Sequence, residues 1–231
     1  AGPHHLEEIR AMEAKYNLPK KNLVQHGYGR LDSIIEESRK KYNNKADKQV
    51  EPQHILIAPS WGSKGTIESG TGEKIVDQLL SSGFKVTLRP HPQTIKYSIN
   101  KIEDILLKHS ANSLFIYENN VLGHDSLHSS DIMISDWSGA ALDYAFGLHK
   151  PVLFLDIPKK INNLDYKEIN IEPFEISIRE KIGKVVFIEN IESILKSLSF
   201  ENKFKVNTTI YNVGKSAKVG SAELKRLCYE K

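Results

Sequence analysis

The stretch His54-Ile55-Leu56-Ile57-Ala58-Pro59-Ser60-Trp61-Gly62-Ser63-Lys64-Gly65 sets up the fold, together with Lys85-Val86-Thr87-Leu88-Arg89-Pro90-His91-Pro92 downstream. Each half holds a short apolar run of strand length, stopped by a proline. Between them lie a glycine-rich turn (Gly62, Gly65, Gly70, Gly72) and an amphipathic segment over residues 74–82 that reads as a helix. A strand, a helix and a second strand of this kind form a βα unit of a parallel sheet.

The same rhythm continues in both directions. Upstream, Asn22-Leu23-Val24-Gln25-His26 reads as a short strand, followed by a helix over residues 31–42 with Leu31, Ile34 and Ile35 on one face, then a polar loop over 43–53. Downstream come a helix over 99–108, a strand over 113–117, a short helical segment over 124–128 and a strand over 131–134. A helix over 140–146 is expected to stop at Gly147, and Pro151 opens a strand over 152–155. Residues 157–182 lack clean periodicity and read as a long loop with short elements. A last strand spans 184–188 and the remainder reads as helical. The outcome is an α/β chain with a Rossmann-like, doubly wound parallel sheet. Such sheets bind ligands beyond the carboxyl ends of their strands.

Composition excludes several classes. The 231 residues are 39 % hydrophobic and 26 % charged, too apolar for disorder, and no run approaches the roughly 18 apolar residues of a membrane span. The formal net charge of +3 is too small for a nucleic-acid footprint. One cysteine, Cys228, leaves no internal disulfide and fits a reducing compartment, and no Cys/His spacing matches a zinc site. No signal peptide is visible. A start at Ala1-Gly2-Pro3 is expected of a processed product or a piece of a longer chain.

The residues that carry chemistry follow strands. Arg89-Pro90-His91-Pro92 places an arginine fork and a proline-braced histidine at the ligand-facing rim, suited to phosphate binding and to proton transfer near neutral pH. The alternative is a rigid turn bearing a surface histidine. Ser135-Asp136-Trp137-Ser138-Gly139 follows a strand and opens a helix, where hydroxyls and free amides can cradle a phosphate or merely cap the helix. Asp143, one turn further, faces a ligand hydroxyl or complements the helix dipole. Ser60 and Trp61 begin a loop of glycines, hydroxyls and Lys64 suited to anions, without the spacing of a Walker loop or a dinucleotide fingerprint. Gly27-Tyr28-Gly29-Arg30-Leu31-Asp32 reads as a tight turn with Asp32 favouring the N-terminus of the helix it enters. His124 and His128 are four apart, but lack a third ligand for a metal.

In order, Gly27-Tyr28-Gly29-Arg30-Leu31-Asp32, Ala58-Pro59-Ser60-Trp61, Arg89-Pro90-His91-Pro92 and Ser135-Asp136-Trp137-Ser138 through Lys150-Pro151 resemble the CDP-glycerol glycerophosphotransferase family of teichoic acid and capsule polymer synthesis. The resemblance spans residues 27–155. It implies a GT-B architecture of two Rossmann-like domains, with this chain as the C-terminal, donor-binding half. Residues 1–22 are then a linker or extension from an acceptor domain, and 23–231 the nucleotide-donor domain.

By the same resemblance His91 is the catalytic histidine, and Arg89, Ser135, Asp136, Ser138, Gly139, Ser60 and Trp61 hold the donor and its phosphates. No metal and no cofactor beyond the donor, CDP-glycerol or a related nucleotide, is implied. The partners implied are a polymer or lipid-linked acceptor and an N-terminal acceptor domain, with no nucleic acid. The location implied is cytoplasmic or peripheral at the inner face of the membrane. Two departures stand out: the family's upstream Trp-His-Gly-Thr segment is absent, and Trp137 and Gly139 stand where tyrosine and serine are usual. A GT-B glycosyltransferase or epimerase-like domain taking a UDP-sugar, and a noncatalytic module keeping only the fold, are the alternatives.

Overall fold

The structure is a computed structural model that describes residues 1–41, 53–120, 123–160, 164–188, 191–198 and 210–229. The loop expected over 43–53 lies, but for Gln53, outside the described residues. The chain separates into two compact units, one of residues 44–160 and 179–203, the other of residues 1–43, 161–178 and 204–231.

The first unit is built on one sheet. Strands β1 (His54–Ile57), β2 (Lys85–Leu88), β3 (Phe115–Tyr117), β4 (Ile132–Ser135), β5 (Val152–Asp156) and β6 (Gly183–Phe187) lie in the order β3-β2-β1-β4-β5-β6. Every adjacent pair is parallel, with Ile55 beside Val86 on one side and Ile132 on the other. The strands read as short continuous apolar runs because β1 and β4 are buried along their whole length, as a parallel sheet with both faces covered requires. Strand order reverses at β1, so the crevice beyond the carboxyl ends of β1 and β4 is the topological switch point where such folds take ligands.

The helices of this unit are α3 (Thr71–Ser81), α4 (Pro92–Tyr97), α5 (Ile99–His109), α6 (Asp125–Ser129), α7 (Gly139–Leu148) and α9 (Ile191–Ser197). Ile75, Val76 and Leu79 of α3 join Ile102 and Ile105 of α5 and the strand residues Ile55, Val86 and Leu88 in one core. Two sequence expectations are corrected here. A helix not expected over 92–97, α4, starts at Pro92, because a proline at the first helical position sacrifices no hydrogen bond. Gly147 lies inside α7, and the helix stops instead at His149, whose φ of 55° makes the left-handed cap that glycine more often provides.

The second unit holds α1 (Pro3–Lys15), α2 (Gly29–Lys41), a 3₁₀ turn (Leu164–Lys167) and α10 (Ser216–Tyr229), and α8 (Phe174–Ile182) begins in it. Most of the stretch expected as a linker over 1–22 is therefore helical. The strand expected over 22–26 does not form: Val24 is 48 % exposed, the His26 amide turns back to the Val24 carbonyl at 2.9 Å, and among the described residues no strand pairs with it. A β-prone run without a surface to bury has nothing to hold it extended.

Asp32 lies in the first turn of α2, as expected, and also serves a second helix. It sits inside α2, and its carboxylate accepts the Gly214 amide at 2.7 Å, the Ala217 amide at 3.3 Å and the Ser216 hydroxyl at 2.5 Å, capping α10. Gly27 makes this approach feasible, since a Cβ there would lie 2.6 Å from Ser216 Cβ and its φ of 108° suits only glycine.

Candidate functional site

Asp136 is the hub of the switch-point crevice. The β4 strand ends at Ser135, whose hydroxyl donates to the Ala58 carbonyl at 2.8 Å and ties the end of β4 to the end of β1. The next residue, Asp136, is 1 % exposed. Its Oδ1 accepts the backbone amides of Ser60 at 2.6 Å and Trp137 at 2.5 Å, and its Oδ2 accepts the Thr66 hydroxyl at 2.7 Å. One carboxylate thus fastens the loop after β1 to the loop after β4.

Ser138 caps α7 loosely, accepting the Ala140 amide at 3.4 Å, and Gly139 is the first helical residue. The positive end of α7 therefore follows the end of β4 with the Ser138 hydroxyl beside it, and a helix N-terminus so placed favours phosphate. Asp143 is buried within α7.

His91 follows β2 and is half-buried. Its Nδ1 accepts the Gln93 amide at 3.1 Å and caps α4, so in the neutral ring the proton resides on Nε2. Burial holds its pKa below the usual histidine value and Lys160 lowers it further, against weaker opposition from Glu68 and Asp136. Trp61 stacks across the imidazole with ring centroids 6.2 Å apart. Lys160 lies 4.4 Å from the Trp61 ring centroid and donates to the Trp61 carbonyl at 2.8 Å.

Arg89 departs from expectation. Its guanidinium is buried, donating from Nη2 to the Gly123 carbonyl at 2.9 Å and from Nη1 to the Ser126 hydroxyl at 3.4 Å. Both terminal nitrogens are engaged inside the protein. A phosphate contact from Arg89 would require an exchange of these partners, and in this geometry the residue braces the start of α6.

A cleft of about 220 Å³ lies beside these loops, lined by Ser60, Trp61, Lys64, Trp137, Ile157 and Lys160 among others. Trp137 forms one wall, its Nε1 donating to the Ile157 carbonyl at 3.3 Å and its ring covered by the Arg179 guanidinium at 4.0 Å. Arg179 in turn donates to the Leu155 carbonyl at 2.8 Å, and burial lowers its pKa.

The structure therefore brings Ser60, Ser135, Asp136, Ser138 and Gly139 together at the crevice. Trp61 and His91 stack on one another, and Arg89 is bonded to Gly123 and Ser126. Sequence reasoning missed Thr66, Glu68, Thr94, Lys160 and Arg179. Thr66 and Glu68 were hidden in an irregular glycine-rich turn, and Lys160 and Arg179 in the stretch without periodicity. Among the described residues no cluster of three His, Cys, Asp or Glu side chains could hold a metal ion.

A six-stranded parallel sheet with this order and a helix N-terminus at its switch point defines a Rossmann-like, doubly wound unit. The chain belongs to the CDP-Glycerol:Poly(glycerophosphate) glycerophosphotransferase family, whose model matches residues 5–161 and so includes every site residue just described except Arg179. It is 23 % identical over 205 residues to the minor teichoic acid biosynthesis protein GgaB of Bacillus subtilis (strain 168), a match covering 76 % of this chain and 21 % of GgaB. Among solved structures, the UDP-GlcNAc 2-epimerase of Neisseria meningitidis bound to UDP-GlcNAc superposes with a TM-score of 0.59 at 17 % identity, over 92 % of this chain and 58 % of the epimerase. The Methanocaldococcus jannaschii UDP-GlcNAc 2-epimerase in complex with UDP-GlcNAc and UDP gives 0.56 at 14 %, over 92 % and 57 %. The chain thus spans about a fifth of the curated relative and under two thirds of either structure.

Proposed function

We propose that this chain is the donor-binding, C-terminal half of an enzyme that transfers glycerol phosphate from CDP-glycerol, or a close CDP-activated relative, to a hydroxyl of a cell-surface polymer. The observation that carries the reading is the Asp136 hub. Within the segment matched by the family, it locks the two loops of the switch point together just ahead of the N-terminus of α7. Ser138, Gly139 and the first amides of α7 receive the donor's diphosphate, with Ser60 and Ser135 holding the floor of the crevice.

In the proposed step the acceptor hydroxyl oxygen bonds to the β-phosphorus, the bond from that phosphorus to the bridging oxygen breaks, and CMP leaves. The hydroxyl proton passes to solvent water, and a phosphodiester forms. Negative charge grows on the leaving oxygen and is stabilised by preorganised amides at the helix end. His91 bears its proton on Nε2 because Nδ1 is held by the Gln93 amide. That geometry suits donation to a phosphoryl oxygen rather than removal of the acceptor's proton. The acceptor site belongs to a further domain, and the enzyme works in the cytoplasm or at the inner face of the membrane. No cofactor beyond the donor is called for. Among the described residues no helix is long and apolar enough to cross a membrane.

Calorimetric titration of the chain with CDP, CDP-glycerol, UDP and UDP-GlcNAc tests this. CDP and CDP-glycerol should bind more tightly than the uridine ligands. At a hundredfold its dissociation constant CDP should stabilise the fold by about 2.7 kcal/mol. Equal or tighter binding of UDP would favour a UDP-sugar transferase or epimerase-like domain, and no binding at all would leave a noncatalytic module.

A further inference from the structure

Glu68 lies in the turn between β1 and α3, outside every motif singled out in the sequence. Its Oε1 accepts the Thr94 hydroxyl at 2.7 Å and the Gly62 amide at 3.4 Å. One partner belongs to α4, which His91 caps, and the other to the loop that carries Trp61. Thr94 is fully buried, and its own amide donates to the His91 carbonyl at 2.9 Å, with the Ile95 amide adding a second donor at 3.2 Å. Gly62 follows Trp61, whose ring stacks on the imidazole. One carboxylate oxygen therefore holds both the backbone that carries the histidine and the loop that covers it.

The second oxygen shows that the placement is tight. Oε2 is shut from solvent with no hydrogen-bond partner among the described residues, and it lies so close to Gly65 that a Cβ there would stand 2.3 Å away. A carboxylate oxygen is costly to desolvate without a partner, so a group that only stabilised the turn would be better replaced by an amide or an apolar side chain. Features of this kind are retained where a charge has work to do near a functional group. The charged groups that act on His91 are Lys160, which disfavours its protonation, and Glu68 and Asp136, which favour it. Asp136 is fully committed to Ser60, Thr66 and Trp137, which leaves Glu68 as the carboxylate whose position and charge both bear on the ring.

We propose that Glu68 is a positioning residue for His91: through Thr94 and Gly62 it fixes the ring between α4 and the Trp61 loop. Its importance for turnover rests on the reading of His91 given above, whereas its effect on the ring does not. The thermal midpoint and the imidazole Cε1–H resonance of His91, followed by NMR against pH in the nucleotide-free 231-residue chain, separate the two. The resonance is assigned by its loss in His91→Gln.

Glu68→Gln keeps the acceptor for Thr94 and removes the charge, so the resonance should stay near its original position while its titration midpoint moves to lower pH. Glu68→Ala removes the anchor as well, and the resonance should move toward that of a free histidine as the Trp61 ring loses its place. Thr94→Val leaves the charge and breaks the link, and should shift the resonance in the same direction as Glu68→Ala. If Glu68→Ala does not fold, the other two variants carry the test. A fall in thermal midpoint with the His91 resonance and titration unchanged in the folded variants would show that Glu68 only supports the turn, and would overturn the proposal whether or not the chain binds CDP.

Discussion

Asp136 and Ser138 are two residues apart, yet removal of each side chain should harm the protein in a different way. Asp136→Ala strands three buried donors, the Ser60 and Trp137 amides and the Thr66 hydroxyl, and each unpaired donor costs about 1 to 3 kcal/mol. The thermal midpoint should fall strongly, and nucleotide affinity should fall with it as the two loops separate. The Ser138 hydroxyl holds only a 3.4 Å contact to the Ala140 amide, so Ser138→Ala should cost under about 1 kcal/mol of stability. Its effect should appear in binding, where a hydrogen bond to a charged phosphate contributes roughly 1.5 to 3 kcal/mol, about tenfold or more in affinity. Paired unfolding and CDP titrations check both. Unaltered CDP binding by Ser138→Ala would reduce that residue to a cap. The sequence alone assigns both residues to the ligand. It cannot separate them, because whether a carboxylate faces a ligand or its own loops depends on where Ser60 and Thr66 come to rest, some 70 residues upstream.

Among the elements, the central strands β1, β2, β4 and β5 were legible because each is a mostly buried run with a proline or charged residue at or just after its end. Their neighbours were not, since pairing is set by where the intervening helices return the chain. The 22–26 run shows the converse: strand-like composition with no sheet to join. The segment over 157–182 resisted reading because α8 and the Lys160 turn are defined by contacts with Trp61, Trp137 and Leu155 rather than by any period of their own. Lys150, visible in the sequence only as part of a motif, shows how one element can set up another. Its ammonium donates to the carbonyls of Leu127 at 3.2 Å, His128 at 2.5 Å and Ser130 at 2.6 Å, closing the C-terminal end of α6. The same short helix carries Ser126, one of the anchors of Arg89. Lys150→Met should lower stability by on the order of 2 kcal/mol, the scale of a charged hydrogen-bond donor removed from a partly buried site. Hydrogen exchange should show the loss first in the amides of α6, ahead of those in β1 and β4. Equal loss of protection throughout the sheet would show that Lys150 supports the fold as a whole and not α6 in particular.

For the molecule as a whole, the expectation is binding without transfer. The loops that would hold a donor all belong to the sheet unit, so the 231-residue chain should bind CDP-glycerol. With a primed acceptor it should release CMP no faster than buffer does, because nothing in the proposed site orients the attacking hydroxyl. Proximity effects worth about 7 to 11 kcal/mol of barrier are then unavailable. A CMP-release assay beside the full-length protein decides this. Rapid release by the chain alone would show that the acceptor site lies within it, and the two-domain reading would have to be abandoned.

The capping of α10 by Asp32 also carries a consequence for how the protein is born. The carboxylate on α2 waits for Gly214, Ser216 and Ala217, partners 182 to 185 residues further along the chain. At a translation rate of about 5 to 20 residues per second, the ribosome needs roughly 10 to 35 s to deliver them. Throughout that interval the Asp32 carboxylate on α2 is without these three donors, while the strands of the sheet emerge and pair in between. The sheet unit can therefore mature during synthesis, whereas the helical unit closes only when the last turns leave the exit tunnel. A stalled or prematurely released polypeptide would present a finished sheet beside a helix whose Leu31 and Ile34, buried in the complete protein, are offered to chaperones and proteases.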